Sequence, residues 1–311
     1  MRPFSVIFFF SCGLSIWSCS EQDNSREALK SLIQSERAFA KVSADSGMRQ
    51  AFMSNLAEEA IVFRPEPVRG KERYVNSPEV PGMLIWQPAF ADISHDGKIG
   101  YTTGPWEFRQ ESKKDSADGY GNYISVWKKQ ADHSWKVVID VGVSHPHPGY
   151  DLRIVTLETE HPAVHPAQKM KPSPKINGSA LLELDRIFSN QAEGLGIQMA
   201  FQSYASPEVR LFRDGSFPIV GLEFSLTWLS DFTGTYRWIP QAADMASSGD
   251  MGYTYGTGEY SFEKIDSLFV ERFSYLRIWK IDHEGDWKLT LEVTNPIPPP
   301  AADVPSQDLD Q

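Results

Sequence analysis

Two arginines, Arg64 and Arg213, each follow a phenylalanine at the end of a strand-like run of residues. A planar guanidinium can bind a carboxylate or a phosphate through two parallel hydrogen bonds, so either arginine could hold an anionic group at the mouth of a pocket. The alternative is an ion pair with a nearby acid, Glu107 for Arg64 and Glu259 for Arg213, which is the commoner use of such residues. We therefore favour the structural role and keep the binding role open.

Aromatic residues recur beside these positions and could line a pocket. Trp86 and Trp238 each stand two residues before a proline, and Tyr101 and Tyr253 each stand in a Gly-Tyr-Thr sequence. Small-molecule sites are concave, mostly apolar surfaces with a few well-placed polar groups. The predicted pocket residues are therefore Arg64, Trp86, Tyr101, Glu107, Arg213, Trp238, Tyr253 and Glu259. No residue type or spacing singles out a catalytic group.

Two further acids, Asp140 and Glu292, lie in the last strand-like run of each half of the chain. Side chains alternate between the two faces of a strand, so Asp140 lies opposite the apolar row that contains Ile139 and Val141. We expect the apolar row to meet the core and both acids to lie on a partly hydrated face. This placement argues against either acid as a buried general base.

Histidine is the side chain best suited to proton transfer near neutral pH, yet none of the seven is shared by the two halves. Four of them, His145, His147, His161 and His165, fall in a proline-rich segment that has no cysteine and no regular helix to fix metal ligands. We expect this segment to be a solvated linker. No metal ion and no cofactor are predicted.

The strongest signal in the chain is an internal repeat. At a shift of 149 residues, Phe39, Gly47, Phe52 and Phe63 align with Phe188, Gly196, Phe201 and Phe212. After three inserted residues the shift becomes 152, where Trp86, Tyr101, Trp127 and Trp135 align with Trp238, Tyr253, Trp279 and Trp287. A collinear series of this kind indicates a tandem duplication.

Each half begins with a helical pattern and continues with strand-like runs. Leu29, Leu32 and Ile33 in the first half, and Leu181 and Leu184 in the second, recur at helical spacing. The strand-like runs are Ala60–Arg64, Ile99–Arg109, Tyr123–Lys129 and Trp135–Val143, with counterparts Val209–Arg213, Met251–Phe262, Ser274–Ile281 and Trp287–Thr294. The order predicts an α+β fold of two tandem units, each with N-terminal helices packed on a curved antiparallel sheet.

One strand in each half is apolar on both faces. Tyr123 and Trp127 share one face, and Ile124 and Val126 share the other. A strand of this kind is buried on both sides, one against the helices and the other against a second sheet. We therefore expect the two units to form an intramolecular pseudo-dimer.

The ordered motifs resemble a known superfamily. In the first half they read WQP, GYTTG, YISVWK and WKVVID, and in the second WIP, GYTYG, YLRIWK and WKLTLE. This series resembles the SnoaL-like domains of the nuclear transport factor two-like superfamily, in a branch of unknown function, over residues 24–148 and 176–296. The resemblance implies a cone-shaped scaffold that serves isomerases, dehydratases, hydrolases, ligand binders and dimerisation modules, so it implies no particular activity.

The first residues are typical of a secreted lipoprotein. A basic start is followed by a mostly apolar run that is too short to span a membrane comfortably. It ends in Ile16-Trp17-Ser18-Cys19, which resembles the lipobox of bacterial lipoproteins. We therefore predict a signal peptide over residues 1–18, a lipidated tether over 19–23 and lipid on Cys19. More than one acyl chain anchors a protein stably, and by resemblance to the usual sorting rule Ser20 favours the outer membrane, facing the periplasm or the cell surface.

The 311 residues carry a net charge of −11. That charge argues against nucleic acid as a partner, because like charges would meet. Between the two predicted units lies a Pro- and His-rich linker, residues 149–175, and a disordered tail is expected over 297–311. The leading hypothesis is a lipid-anchored envelope protein that binds a small, partly apolar ligand in its cones without chemistry. A lyase, isomerase or hydrolase with a Tyr/Asp pocket and a pure protein interaction module remain open alternatives.

Overall fold

The computed structural model describes residues 16–78, 81–110, 116–149, 155–159, 177–265 and 267–299. Most of the predicted signal peptide lies outside these residues, as do His161, His165 and residues 300–311 of the predicted tail. Within the described ranges, no helix combines the length and apolar composition needed to cross a membrane.

The described residues form two successive α+β units, which confirms the predicted fold class. The first unit consists of α1 (Ile16–Ser46), α2 (Met48–Asn55), β1 (Leu56–Phe63), β2 (Pro67–Arg69), α3 (Gly70–Asn76), β3 (Met83–Trp86), β4 (Phe90–Ile93), β5 (Ile99–Arg109), β6 (Gly119–Lys129), β7 (Trp135–Ser144) and β8 (Glu158–Thr159). The second unit consists of α4 (Gly178–Leu195), α5 (Ile197–Tyr204), β9 (Ala205–Arg213), β10 (Ile219–Val220), α6 (Leu222–Leu229), β11 (Thr235–Met245), β12 (Met251–Lys264), β13 (Ser267–Ile281) and β14 (Trp287–Ile297).

The two sheets share one strand order. It runs β2-β1-β7-β6-β5-β4-β8 in the first unit and β10-β9-β14-β13-β12-β11 in the second. Neighbouring strands are antiparallel except for β1 with β7, β9 with β14 and β4 with β8. In the first unit β3 and β4 both pair with β5, at the place where the second unit has the single long strand β11. The duplication seen in the sequence is therefore a duplication of topology.

Matching glycines end the first helix of each unit. Gly47 and Gly196 have φ angles of 89° and 90°, a region that suits glycine because it has no Cβ. Each donates its backbone N–H to a carbonyl of the preceding helix, that of Ser43 or Ala192, at 3.1 Å. The chain then turns directly into a short second helix. This turn sets the angle at which both helices lie on the sheet.

Some boundaries differ from those predicted. The first helix begins at Ile16, so the backbone of the predicted tether 19–23 is helical. Residues 158–159 of the predicted linker form β8, which pairs with β4 and extends the first sheet. His145 and His147, in the proline-rich segment just before the predicted linker, are partly packed: the His145 ring centroid lies 4.5 Å from that of Phe217, and the His147 ring centroid lies 4.7 Å from that of Tyr120. These contacts depend on tertiary packing, which the local composition of the segment does not reveal.

Asp140 and Glu292 are buried, so the expectation of a partly hydrated face was wrong. Asp140 is 6% exposed and Glu292 is fully buried. Their face of the sheet is the inside of the cone. There the ring centroids of Phe39 of α1 and Trp127 lie 6.0 Å apart. The apolar row of the same strand points the other way. The error arose because the strand has two buried faces, and the polar one is the interior of its own unit.

The outer faces of the two sheets meet each other. Ile124, Val126 and Val141 of the first unit belong to one buried apolar cluster with Leu276, Ile278 and Val293 of the second. Around this cluster lie two reciprocal ion pairs. Lys128 binds Asp244 at 2.7 Å, and the equivalent Lys280 binds Asp92. Two copies related by a twofold axis make reciprocal contacts of this kind.

Candidate functional site

A cavity of about 370 Å³ opens into the interior of the first unit. Its apolar wall contains Phe52, Leu84, Trp86 and Trp106, and its polar groups are those of Arg49, Arg64, Arg73, Tyr74, Tyr123 and Asp140. A volume of this size suits a small organic molecule. Of the predicted pocket residues, Arg64 and Trp86 therefore lie in the cavity wall.

Asp140 is the central polar group of the cavity. Its carboxylate accepts hydrogen bonds from the Ser125 hydroxyl at 3.0 Å and from the Arg64 guanidinium at 3.3 Å. Arg64 also donates to the Tyr74 hydroxyl at 2.8 Å. Burial raises the pKa of Asp140, and the nearby Arg64 charge opposes that rise. Arg64 is thus paired with an acid as expected, but the acid is Asp140 and not Glu107.

Glu36 lies behind the cavity on the buried face of α1. Its carboxyl accepts hydrogen bonds from the indole N–H groups of Trp86, at 2.6 Å, and Trp127, at 2.9 Å, and from the Thr102 hydroxyl. Burial is the largest influence and raises the pKa of Glu36 to about 7, although these donors act in the opposite direction. The interior therefore contains a carboxyl group that titrates near neutrality.

The buried Tyr123 hydroxyl is a second unusual group. It makes no hydrogen bond of good geometry to any residue in the described part of the chain, although the Thr102 hydroxyl lies near enough to interact with it. Burial and the nearby Glu36 carboxyl raise its pKa well above the usual value, so the hydroxyl stays protonated and can donate. A buried polar group without a partner is costly. A ligand in the cavity could supply that partner.

The cavity mouth is cationic. Arg49 donates to the backbone carbonyl of Val75 at 3.4 Å and also to that of Ser77. Arg73 donates to the Ser77 hydroxyl from the exposed side of α3. These bonds hold two guanidinium groups beside the end of α3, in addition to Arg64 deeper in the wall.

The interior of the second unit has the same plan but is filled by Arg277. This side chain is fully buried, and its guanidinium binds Asp185 and Glu292, the latter at 2.7 Å. Its carbon Cζ lies 4.0 Å from the Trp238 ring centroid and 4.1 Å from that of Phe188. The predicted pocket residue Trp238 therefore contacts a side chain of its own unit.

Arg213 takes the place of Arg64 in the second unit. Its guanidinium binds Glu292 in the interior and lies 5.5 Å from the ring of Trp228. The expected partner Glu259 is instead half-buried on β12, opposite Arg237 and Arg272 in the strand register. The matching acid Glu107 binds Arg109, at 2.6 Å. Both acids lie too far along their strands to reach the interior arginines.

Tyr101 and Tyr253 are buried, but neither lines the first unit's cavity. Tyr101 is opposite Val126 in the register, and Tyr253 is opposite Ile278, so both follow the apolar rows that face the other unit. The Tyr101 ring packs 5.8 Å from the ring of Phe90. The pocket assignment failed here because strand alternation places the following Thr102, rather than Tyr101, toward the interior.

Sequence reasoning missed Glu36, Ser125 and Arg277, yet two signals were present. Glu36 falls on the apolar stripe of α1, three residues after Ile33 and three before Phe39, where a charged side chain must be buried. Its repeat partner Asp185 is also acidic. At the equivalent positions 125 and 277, the first half has a serine and the second half has an arginine, although the strand sequences around them match well.

Comparisons with known proteins give likenesses only to solved structures. No family model and no curated protein matches the chain. A ketosteroid isomerase-like protein from Erwinia carotovora atroseptica is 17% identical, over 39% of this chain and 96% of its own, with a TM-score of 0.34. The CaMKII hub of S. rosetta is 19% identical over 40% of this chain and 99% of its own, with the same TM-score. An NTF2-like protein from Cytophaga hutchinsonii is 16% identical over 39% and 100%, with a TM-score of 0.32.

Proposed function

We propose that the interior of the first unit binds one small, partly apolar molecule. The observation that carries this proposal is the 370 Å³ cavity, which has aromatic walls and a few polar groups. Trp86 and Trp106 offer flat apolar surfaces, and Tyr123 offers a hydroxyl without a partner. These features support a binding role that needs no bond to be made or broken.

The charge around the mouth favours a ligand with an anionic group. Three arginines line the cavity, Arg49, Arg64 and Arg73, against one acid, Asp140, although the whole chain carries −11. Arg64 is already paired with Asp140, which leaves the positive charge concentrated at Arg49 and Arg73. A carboxylate beside these two groups, with an apolar body against the tryptophans, satisfies both parts of the cavity.

Calorimetric titration with two matched probes tests this proposal. We expect 4-phenylbutyrate to bind more tightly than uncharged 4-phenyl-1-butanol, because only the first carries a carboxylate. R73Q should weaken phenylbutyrate binding by roughly three- to tenfold, as expected for a partly exposed charge pair. Lys71 lies on the same helix but pairs with Glu58, so K71Q is the matched control. Equal binding of both probes, or none, would contradict the proposal.

Proton transfer is the second candidate function. Asp140 and Tyr123 both line the cavity, and burial raises the pKa of each. A carboxylate base beside a donor hydroxyl is an arrangement that an isomerase, lyase or hydrolase can use. Chemical change of a molecule that co-purifies with the protein, lost in D140N, would favour this candidate over simple binding.

The SnoaL-like resemblance and the pseudo-dimer remain part of the proposal. The reciprocal pairs of Lys128 with Asp244 and Lys280 with Asp92 support an intramolecular twofold arrangement. If the protein binds a ligand in this way, the site lies on the inner face of the first sheet, and the second unit covers the outer face of the same sheet. The protein as a whole would act as one binding module.

We further propose that the protein is an outer-membrane lipoprotein anchored through Cys19 and facing the periplasm or the cell surface. When the chain is expressed in a bacterium fed an alkyne analogue of palmitate, the wild type should incorporate the label and sediment with membranes. C19A should lose both properties. C12A is the control and should keep both, because Cys12 precedes the predicted cleavage site. Label retained in C19A would contradict the anchor.

A further inference from the structure

We infer that Arg277 is a built-in occupant of the second interior, so that, of the two interiors that the structure describes, only that of the first unit is open to a ligand. The residue at this strand position, Ser125 in one unit and Arg277 in the other, then determines whether an interior is open. This inference rests on the binding role proposed above.

The two residues occupy equivalent places in three dimensions as well as in sequence. Ser125 lies opposite Asp140 in the register of β6 with β7, and Arg277 lies opposite Glu292 in that of β13 with β14. Each side chain makes a hydrogen bond to the acid that faces it. A serine reaches no farther than this acid, whereas an arginine extends across the interior to Asp185 on the helix.

Most groups that hold the Arg277 guanidinium have counterparts in the first unit; the exception is the Ser189 hydroxyl, which aligns with Ala40. Asp185 and Glu292 correspond to Glu36 and Asp140. The aromatic set Phe188, Trp238 and Tyr275, which lies within 4.7 Å of the guanidinium, corresponds to Phe39, Trp86 and Tyr123. Arginine over aromatic faces and between two carboxylates is a strongly favourable buried arrangement. The second interior is therefore filled by its own side chains, although Arg277 Nη2 and Trp238 Nε1 are buried donors with no hydrogen-bond partner among the described residues.

Charge is balanced differently in the two interiors. The second contains two arginines, Arg213 and Arg277, for two acids. The first has only Arg64 for Glu36 and Asp140, and its surplus acid is compensated because the pKa of Glu36 is about 7, so that it is largely protonated at slightly acidic pH. At that pH the first interior therefore needs no second guanidinium to balance its charge, and the volume remains available.

A second difference lies in which strand supplies the large ring near the interior. Trp106 of β5 lies opposite Gly121 of β6, whereas the equivalent pair in the second unit is Gly258 opposite Phe273. The large ring thus comes from β5 in the first unit, whereas in the second unit it comes from β13, the equivalent of β6. Trp106 lines the cavity mouth, while Phe273 packs at 4.7 Å from Trp238 inside the filled interior.

The filled unit also supports the mouth of the open one. Asn295 donates to the backbone carbonyl of Gly142, a cavity residue, at 3.2 Å. Ser274 donates to the carbonyl of Pro65, next to Arg64, at 2.7 Å. Ser274 lies on β13, the strand that carries Arg277, and Asn295 lies on the neighbouring strand β14. A rigid, self-filled second unit therefore holds two parts of the first unit's wall in place.

The experiment transfers the filled set into the first unit of the full-length chain. The triple variant E36D/S125R/D140E gives the first interior the residue types found at positions 185, 277 and 292 of the second, where Arg64 already matches Arg213. The probe is 4-phenylbutyrate. We expect wild type to bind one probe per chain and the triple variant to bind at least tenfold more weakly while its thermal unfolding stays cooperative. K71Q is the control: Lys71 pairs with Glu58 outside the cavity wall, so this variant should bind within about threefold of wild type.

Fluorine NMR of wild type labelled with 5-fluorotryptophan decides the same point without a variant. The resonances of Trp86 and Trp106 should shift during the titration, and that of Trp238 should not. Two probes per chain, a shift at Trp238, or undiminished binding by a folded triple variant would overturn the inference while leaving the proposed function intact. No binding of either probe to wild type would overturn the proposed function, and this inference with it.

Discussion

Replacing Arg277 by methionine should lower the free energy of unfolding by about 3–5 kcal/mol, the usual cost of removing one partner from a buried ion network. Methionine fills much of the volume but cannot donate hydrogen bonds. The carboxylates of Asp185 and Glu292 would then be buried with one donor fewer each. Urea denaturation at neutral pH measures the loss.

Arg272, on the same strand, provides the matched control. It pairs with Glu66, and both side chains are about half exposed. An ion pair of this kind contributes at most about 1 kcal/mol, so R272M should unfold close to wild type. If R277M were no less stable than R272M, the ionic network in the second interior would have no structural role, and Arg277 could not be its occupant.

Raising the pH from about 4.5 to above 7 should destabilise the wild type relative to E36Q. The Glu36 carboxyl has a pKa of about 7 in the folded protein against 4.5 as its reference value. Between these values the folded state holds more protons than the unfolded state, so the free energy of unfolding falls as the pH rises and levels off above 7. The full effect is on the order of 3 kcal/mol. Asp140, whose pKa is also raised, contributes in the same direction.

The quantity to compare is the slope of stability against pH, measured by urea unfolding between pH 4.5 and 8.5. Glutamine cannot titrate, so E36Q should lose the part of the fall that Glu36 contributes and keep only the part that Asp140 contributes, whatever its absolute stability. Glu27 lies on the exposed side of the same helix, and E27Q should follow the wild-type slope. An E36Q curve parallel to wild type would mean that Glu36 is already ionised throughout this range.

The architecture of each unit could be predicted from the sequence because its signals are local and repeated. The collinear matches around Phe39 and Phe188 and around Trp127 and Trp279 identify two copies. Helical and strand periodicities within each copy then predict an α+β unit. Even the second buried face of the central strand could be inferred, since Tyr123–Trp127 is apolar on both sides.

The contents of the interiors could not be predicted by the same reasoning. Strand alternation correctly separates Asp140 from Val141, but it does not say which side is the interior of the cone and which is the contact with the other unit. The sequence-based prediction places the apolar side of the strand against the core, and it therefore places Asp140 on the hydrated side. Tyr101 was misplaced for the same reason.

The partners of the interior arginines depend on register, which no single sequence reveals. Arg64 meets Asp140 because β1 runs parallel to β7, a pairing between segments far apart in the chain. The exchange of Trp106 and Gly121 for Gly258 and Phe273 is likewise visible only once β5 and β6 are aligned. Comparison of the two halves at these positions, more than either half alone, distinguishes an open interior from a filled one.

A crystal structure of the protein with 4-phenylbutyrate tests the central claim most directly. The account predicts probe density in the first interior, with the phenyl ring against Trp86 and the carboxylate toward Arg73, and the Arg277 side chain between Asp185 and Glu292 in the second. Density for the probe in the second interior, or a first interior closed by its own side chains, would contradict it.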